Sequence, residues 1–174
     1  MEGGYPDGAV LLHIGSGCHH WDKWVNVDFN PAADIQCDIR KLPFPDNHAD
    51  AIVSVHVFEH FYLWEATAML QEWIRVLKPG GILVLELPCM DKVFTYIANA
   101  INNKVPLANF MSWFPLWGDP KYRDPHMVHR WGYTIAMIQD LLAHSGLCDV
   151  QSETPRYHFP NRDMRVFGRK PSTT

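Results

Sequence analysis

The sequence predicts a single α/β domain built around an open, mostly parallel sheet with helices on both faces. Apolar runs typical of buried strands alternate with helical patterns through the first half of the chain, as in repeated strand–helix–strand units. The chain has 174 residues and a hydrophobic content of 47%, which is enough for one well-packed core and too little for two. We therefore expect residues 1–174 to form one domain.

Four short strands are predicted before the first helix. Residues 10–14 and 24–27 have the continuous apolar character of parallel strands that are buried on both faces. Residues 34–38 are predicted as a short third strand that ends in an acid, and residues 51–55 as a buried fourth strand. The glycines and acids that follow these strands therefore meet at one edge of the sheet.

Two helices flank the fifth predicted strand. Apolar side chains recur at helical spacing over residues 65–77, and Lys-Pro-Gly-Gly at 78–81 should end that helix. Residues 82–87 are predicted as a buried strand, and residues 91–101 as the next helix. This order continues the alternation that a parallel sheet requires.

The last part of the chain is again regular. Thr134 is a good N-cap for a helix that should close at Gly146, because its apolar residues form one stripe. Two strands follow, at about residues 148–154 and 164–169, separated by a turn that contains proline.

Between residues 102 and 131 neither the helical nor the strand periodicity is visible, and the stretch is rich in aromatic side chains. They include Phe110, Trp113, Phe114, Trp117, Tyr122 and Trp131. A long structureless loop in a compact domain is usually functional or disordered, and so many aromatics argue against disorder. We expect an inserted lid over the carboxyl edge of the sheet. Packing against the core and a homodimer contact are the alternatives.

Composition excludes several classes of partner and compartment. The net charge of −4, with no cluster of Lys and Arg, argues against nucleic acid. The apolar runs are shorter than the roughly 20 residues that cross a bilayer, and the start lacks the basic region of a signal peptide. The four cysteines are far apart without CxxC spacing, which is typical of reduced thiols. We expect a cytoplasmic protein that is not bound to membranes.

A glycine turn and an acid indicate a nucleoside ligand. Gly15 and Gly17 follow the first strand, where the missing side chains let a ligand approach the backbone. Asp28 ends the second strand, where its carboxylate can accept hydrogen bonds from two vicinal hydroxyls. The alternative is that the glycines serve the geometry of the turn alone.

The spacing separates two cofactor classes. A dinucleotide fingerprint needs a third glycine where His20 stands, and a helix whose amino end holds the pyrophosphate. Only a few residues separate Gly17 from the second strand, so no ordinary helix fits there. A ligand with a ribose and an amino-acid tail but no phosphate suits this turn better, and S-adenosylmethionine is such a ligand.

Five sequence blocks, in order, resemble the class I S-adenosylmethionine-dependent methyltransferases, in particular a small branch similar to methyltransferase type 11. They lie at residues 12–17, 25–28, 38–44, 56–60 and 75–81. The resemblance implies a Rossmann-like, seven-stranded sheet with an antiparallel last strand, S-adenosylmethionine as cofactor, and methyltransferase activity.

The resemblance also implies roles for particular residues. Gly15, Ser16 and Gly17 would contact the methionine part of the cofactor, and Asp28 the ribose. Asp38, with the backbone of Ile39, would meet the adenine amino group. Two positions depart from the pattern: His13 stands where many relatives have an acid, and His19 where a third glycine is common.

The segment His56-x-x-Glu59-His60 also matches the H-x-x-E-H zinc-protease pattern. The segment directly follows a strand, the sequence marks no third ligand, and the family blocks already explain it, so we expect no metal. A zinc hydrolase is the less favoured alternative. Histidines that merely satisfy hydrogen bonds at a strand end are another.

The predicted reaction is methyl transfer to a small-molecule or carbohydrate-like acceptor by in-line displacement. A base is needed only for a weakly nucleophilic acceptor, and His56, His60 and His129 are the candidates, together with His126. A cofactor-binding protein without catalysis is the alternative.

Overall fold

A computed structural model describes residues 5–172 and contains one seven-stranded sheet in the order β3-β2-β1-β4-β5-β7-β6. The strands are β1 Leu11–Ile14, β2 Val25–Asp28, β3 Ile35–Gln36, β4 Ala49–Val55, β5 Leu77–Pro88, β6 Cys148–Glu153 and β7 Asp163–Arg169. β1 to β5 pair in parallel, and β7 is antiparallel to both β5 and β6. This confirms the predicted sheet and its reversed last strand. Of the predicted domain, residues 1–4 and 173–174 lie outside the described residues.

The helices are α1 Leu63–Val76, α2 Met90–Asn102, α3 Trp113–Trp117 and α4 Ile135–His144. α4 begins as predicted, because the Thr134 hydroxyl accepts a hydrogen bond from Met137 N at 3.2 Å. The Lys-Pro-Gly-Gly stretch after α1 is not a separate turn, because β5 already begins at Leu77, which pairs with Ala49. None of the helices within residues 5–172 is long and apolar enough to cross a membrane.

α1 and α4 pack against one face of the sheet. Their buried residues join those of β1, β4 and β5 in the main core, where the fully buried Trp73 donates its indole N–H to Ile39 O at 2.8 Å. That hydrogen bond fixes the loop after β3 to α1, and therefore fixes one wall of the carboxyl edge.

The side chains that cover the opposite face of the sheet differ from the layer of helices that we expect from the sequence. The cluster of Ala51, Val53, Ile82 and Val84 on this face is packed by aromatic side chains from loops, and it includes no residue of a helix. These aromatic residues include Tyr5, Trp21, Trp24 and Tyr157. The reason is the short connection between β1 and β2, in which Trp21 and Trp24 replace a helix.

The segment from 102 to 131 contains short elements that the sequence pattern does not reveal. It contains 3-10 turns at Asn109–Met111, Pro120–Tyr122 and Pro125–Met127, besides the single-turn α3. Units of three to five residues are too short for a periodic pattern to show in the sequence.

Candidate functional site

The glycine turn after β1 lies against the loop that follows β4. Gly15 has φ +75°, and a Cβ placed on it would lie 2.1 Å from Val57 Cγ2. Gly15 is therefore explained by packing alone. Gly17 has φ +54°, but a Cβ there would meet nothing within 4 Å among the described residues, so the space beside it is open. Ser16 Oγ between them is buried without a hydrogen-bond partner in residues 5–172.

Asp28 at the end of β2 is joined directly to this turn. It is 7% exposed, and its Oδ2 accepts a hydrogen bond from Gly17 N at 2.9 Å while Oδ1 accepts one from Asn30 N at 2.8 Å. A carboxylate oxygen has two lone-pair directions, so each oxygen can accept one more hydrogen bond. This arrangement fits a pair of ribose hydroxyls. The unpartnered Ser16 hydroxyl fits a polar group of the same ligand.

Asp38 and Ile39 lie further along the same edge. The Asp38 carboxylate accepts hydrogen bonds from Arg40 N at 2.9 Å and from Arg40 Nη2 at 2.7 Å. The Arg40 guanidinium lowers the pKa of Asp38. An adenine amino group would therefore have to share a carboxylate that is already paired.

His13 is packed inside the protein. It is 3% exposed, stacks on Trp21 with ring centroids 3.7 Å apart, and places Nδ1 3.1 Å from Asn26 Oδ1. Asn26 Oδ1 also accepts from Trp21 N at 2.9 Å, which identifies it as the oxygen and His13 Nδ1 as a donor. Burial lowers the pKa of His13 to about 4. The ring of His13 is therefore neutral at neutral pH.

His56 lies at the carboxyl end of β4, between two acids. Its Nδ1 is 3.0 Å from Glu59 Oε1 and its Nε2 is 3.2 Å from Asp163 Oδ2. Burial disfavours the charged ring, but these two carboxylates outweigh it and raise the pKa of His56 to about 9. Burial likewise opposes ionisation of Glu59, but His56 brings the pKa of Glu59 down to about 2. At neutral pH His56 is therefore an imidazolium.

A second group of side chains includes Glu59 as well, together with His60 and His129. One ligand-type atom from each lies within 4.8 Å of the others. His60 Nδ1 is 3.2 Å from Val128 O, and His129 Nδ1 is 2.8 Å from Pro115 O. The structure thus brings together two of the three predicted catalytic histidines.

The H-x-x-E-H interpretation of this segment does not match the fold. It needs His56 and His60 on one side of a helix, whereas Phe58–His60 is a single 3-10 turn. Both ring nitrogens of His56 face carboxylates instead of a shared centre. His126 also lies apart from the cluster: it is exposed, with its ring centroid 5.3 Å from that of Phe29.

Sequence reasoning missed Asp163 and its neighbour Arg162. Asp163 is fully buried and accepts a hydrogen bond from Arg162 Nε at 2.6 Å as well as lying against His56. His56 and Asp163 are 107 positions apart in the chain, so no local motif contains both residues. Only the antiparallel return of β7 beside β5 brings them together.

The aromatic segment reaches this edge through its last residues. Arg130 N and Trp131 N donate to Glu59 O at 2.8 and 3.2 Å. Trp113 and Trp117 are nevertheless 45% and 66% exposed, so their rings are not packed into the core. The segment therefore presents aromatic surface beside the Glu59–His60 turn.

Residues 13–85 match a family model described as "Methyltransferase domain". The chain is 40% identical over 85 residues to the ubiquinone/menaquinone biosynthesis C-methyltransferase UbiE of Azotobacter vinelandii, covering 48% of this chain and 30% of that protein. It is 35% identical over 78 residues to the probable tRNA methyltransferase 9B of Mus musculus, covering 44% of this chain and 17% of that protein. The match thus spans less than a third of either curated relative.

Solved structures share the fold over nearly the whole chain. A SAM-dependent methyltransferase from Archaeoglobus fulgidus aligns with a TM-score of 0.66 at 15% identity, covering 94% of this chain and 87% of that chain. A possible histamine N-methyltransferase from Thermotoga maritima aligns with a TM-score of 0.62 at 15% identity, covering 95% and 84%. Residues 13–85 thus match a methyltransferase domain, and the chain has the fold of solved S-adenosylmethionine-dependent methyltransferases.

Proposed function

We propose that the protein is an S-adenosylmethionine-dependent methyltransferase that acts on a small-molecule acceptor. The observation that carries this proposal is the hydrogen bond from Gly17 N to Asp28 Oδ2, which joins the glycine turn and the acid at the carboxyl edge of the sheet. The open space beside Gly17 and the unpartnered Ser16 hydroxyl lie at the same turn.

Different residues at this turn bind different parts of the cofactor in this proposal. When bound, S-adenosylmethionine supplies an electrophilic methyl group for in-line displacement. Asp28 accepts hydrogen bonds from the ribose hydroxyls, and Ser16 with the backbone of Gly17 binds the amino-acid end. Val57 packs on Gly15 and so keeps water from that side of the turn.

The acceptor would lie between the turn at Glu59 and His60 and the aromatic segment. The exposed rings of Trp113 and Trp117 can pack on the C–H surface of a sugar or on a planar ring. A carbohydrate-like hydroxyl is the first acceptor class that we propose. A quinone-type ring is the second, favoured by the likeness to the UbiE C-methyltransferase.

For a hydroxyl acceptor, His60 and His129 are the proposed catalytic residues. Each ring directs Nδ1 at a backbone carbonyl, so Nδ1 carries the proton and Nε2 keeps its lone pair. We propose that His56 acts through Glu59, because its own two nitrogens are held by Glu59 and Asp163. It is a positioning residue in this proposal.

The test is methyl transfer from labelled S-adenosylmethionine to a panel of glycosides, catechols and quinols. The proposal expects label in a member of the panel, at a rate that depends on enzyme concentration. Binding of S-adenosylhomocysteine with no transfer to any acceptor would instead support a cofactor-binding protein without catalysis. Release of peptide or ester fragments from a zinc-loaded sample would support the hydrolase alternative.

A further inference from the structure

We propose that Glu59, His60 and His129 form a binding site for a divalent first-row transition-metal ion such as Zn²⁺ or Co²⁺. From the sequence we expect no metal, because the H-x-x-E-H segment has no marked third ligand besides His56 and His60. The fold brings together a different set, in which His129 lies beside Glu59 and His60. This inference does not depend on the proposed methyl transfer. A bound metal ion would occupy the Nε2 lone pairs of His60 and His129, so the general-base role proposed for these two residues belongs to the metal-free protein.

The donor atoms have the right type and spacing. Two imidazole nitrogens and one carboxylate are a common ligand set for zinc and for other ions of this class. The three ligand atoms lie within 4.8 Å of one another, and His129 Nε2 is 3.9 Å from Glu59 Oε1. Ligands around a tetrahedral zinc ion are about 3.3 Å apart, so shifts of about 1 Å would complete the site.

Both histidines are already oriented as metal ligands are. Each places Nδ1 within hydrogen-bond distance of a backbone carbonyl, that of Val128 for His60 and that of Pro115 for His129. A carbonyl can only accept, so the proton is on Nδ1 and Nε2 is the free donor of a lone pair. A hydrogen bond from the second ring nitrogen is the usual support of a metal-bound histidine.

Glu59 supplies an independent indication of a ligand at this site. Its side chain is 2% exposed, and Oε2 has no hydrogen-bond partner in the described part of the chain. Oε1 lies 3.0 Å from His56 Nδ1, an ion pair without the alignment of a hydrogen bond. A buried carboxylate oxygen without a partner is costly, and a metal ion would satisfy it. A buried water molecule is the rival occupant.

Three protein ligands leave at least one coordination position open. Because His60 is only partly buried, that position can be reached from outside. Catalytic zinc sites keep such a position for water or a substrate oxygen, whereas structural sites close it with a fourth ligand. We therefore assign the open position to water or to an oxygen donor of a small molecule.

The first test is metal binding to the chelator-stripped, full-length protein. Calorimetry with Zn²⁺ and Co²⁺ should show one saturable equivalent, and the Co²⁺ complex should absorb in the visible range. His60→Ala and His129→Ala should each weaken binding by tenfold or more. His126→Ala is the matched control, because His126 is exposed in the same segment, and it should leave the affinity unchanged.

The second test needs no substitution. On addition of Zn²⁺ to the wild-type protein, the ¹⁵N resonances of His60 Nε2 and His129 Nε2 should shift, while those of His126 should not. Absence of a saturable equivalent would overturn the proposal and leave water as the occupant. Binding of Zn²⁺ that leaves the His60 and His129 resonances unshifted would also overturn the proposal. It would show that other members of the 10 histidines coordinate the ion adventitiously.

Discussion

Under the proposed function, cofactor binding depends most directly on Asp28. Asp28→Ala removes the acceptor for the ribose hydroxyls and leaves Gly17 N without its partner. We expect affinity for S-adenosylhomocysteine to fall more than tenfold, by about 1.5–3 kcal/mol, as measured by calorimetry. Asp22→Ala is the control, because Asp22 is exposed in the connection between β1 and β2. Unchanged binding by the Asp28 variant would contradict the assignment.

His13 should make stability depend on pH. Burial lowers the pKa of His13 from 6.5 to about 4 in the folded state, so the unfolded chain takes up the proton first. Its contribution to the free energy of unfolding is complete above pH 6.5 and is lost as the pH falls toward 4. The loss amounts to roughly 3 kcal/mol at the acid end.

Urea unfolding between pH 7 and pH 4 measures this effect. The comparison is His13→Phe, which retains a ring against Trp21 but cannot titrate. The wild type should lose more stability than the variant over this range. Parallel pH profiles for the two proteins would show that His13 is not held neutral by burial.

Among the secondary-structure elements, β5 and β7 are joined by a buried ion pair. Glu86 and Arg165 are direct cross-strand partners with fully buried side chains, and Arg165 Nη1 donates to Glu86 Oε2 at 3.1 Å. Glu86→Ala should cost about 3–5 kcal/mol of unfolding free energy, because it leaves buried Arg165 Nη1 and three backbone N–H groups, those of Arg156, Tyr157 and His158, without their acceptor. Glu153→Ala removes the second, 29% exposed partner and should cost less. Equal losses in urea unfolding would show that burial does not set the strength of these pairs.

The aromatic segment is the element that should govern acceptor use. Trp117 is 66% exposed, so Trp117→Ala removes little packing and should leave the melting temperature nearly unchanged. We expect kcat/KM for the acceptor to fall at least tenfold, while affinity for S-adenosylhomocysteine stays within twofold. Trp64→Ala, on an exposed tryptophan of α1, is the control. A lower melting temperature with unchanged kinetics would show that the ring of Trp117 is structural.

For the whole molecule, local pattern predicted the sheet and its edge. Gly17 lies in the turn after β1 and Asp28 ends β2, so their meeting follows from the parallel pairing of these two strands. The sequence could not show that His129 returns to Glu59 or that Asp163 reaches His56, because long-range packing decides both contacts. The aromatic cover of the second face was also hidden, since Trp21 lies in a loop without periodicity.

Calorimetric titration of the wild-type protein with S-adenosylhomocysteine, in the presence and absence of NADH, distinguishes the proposed cofactor from a dinucleotide. The connection between β1 and β2 has no helix to hold a pyrophosphate, whereas Gly17 and Asp28 are joined for a ribose. We expect one molecule of S-adenosylhomocysteine to bind per chain, with no competition from millimolar NADH. Tight binding of NADH, or no binding of S-adenosylhomocysteine, would contradict this expectation.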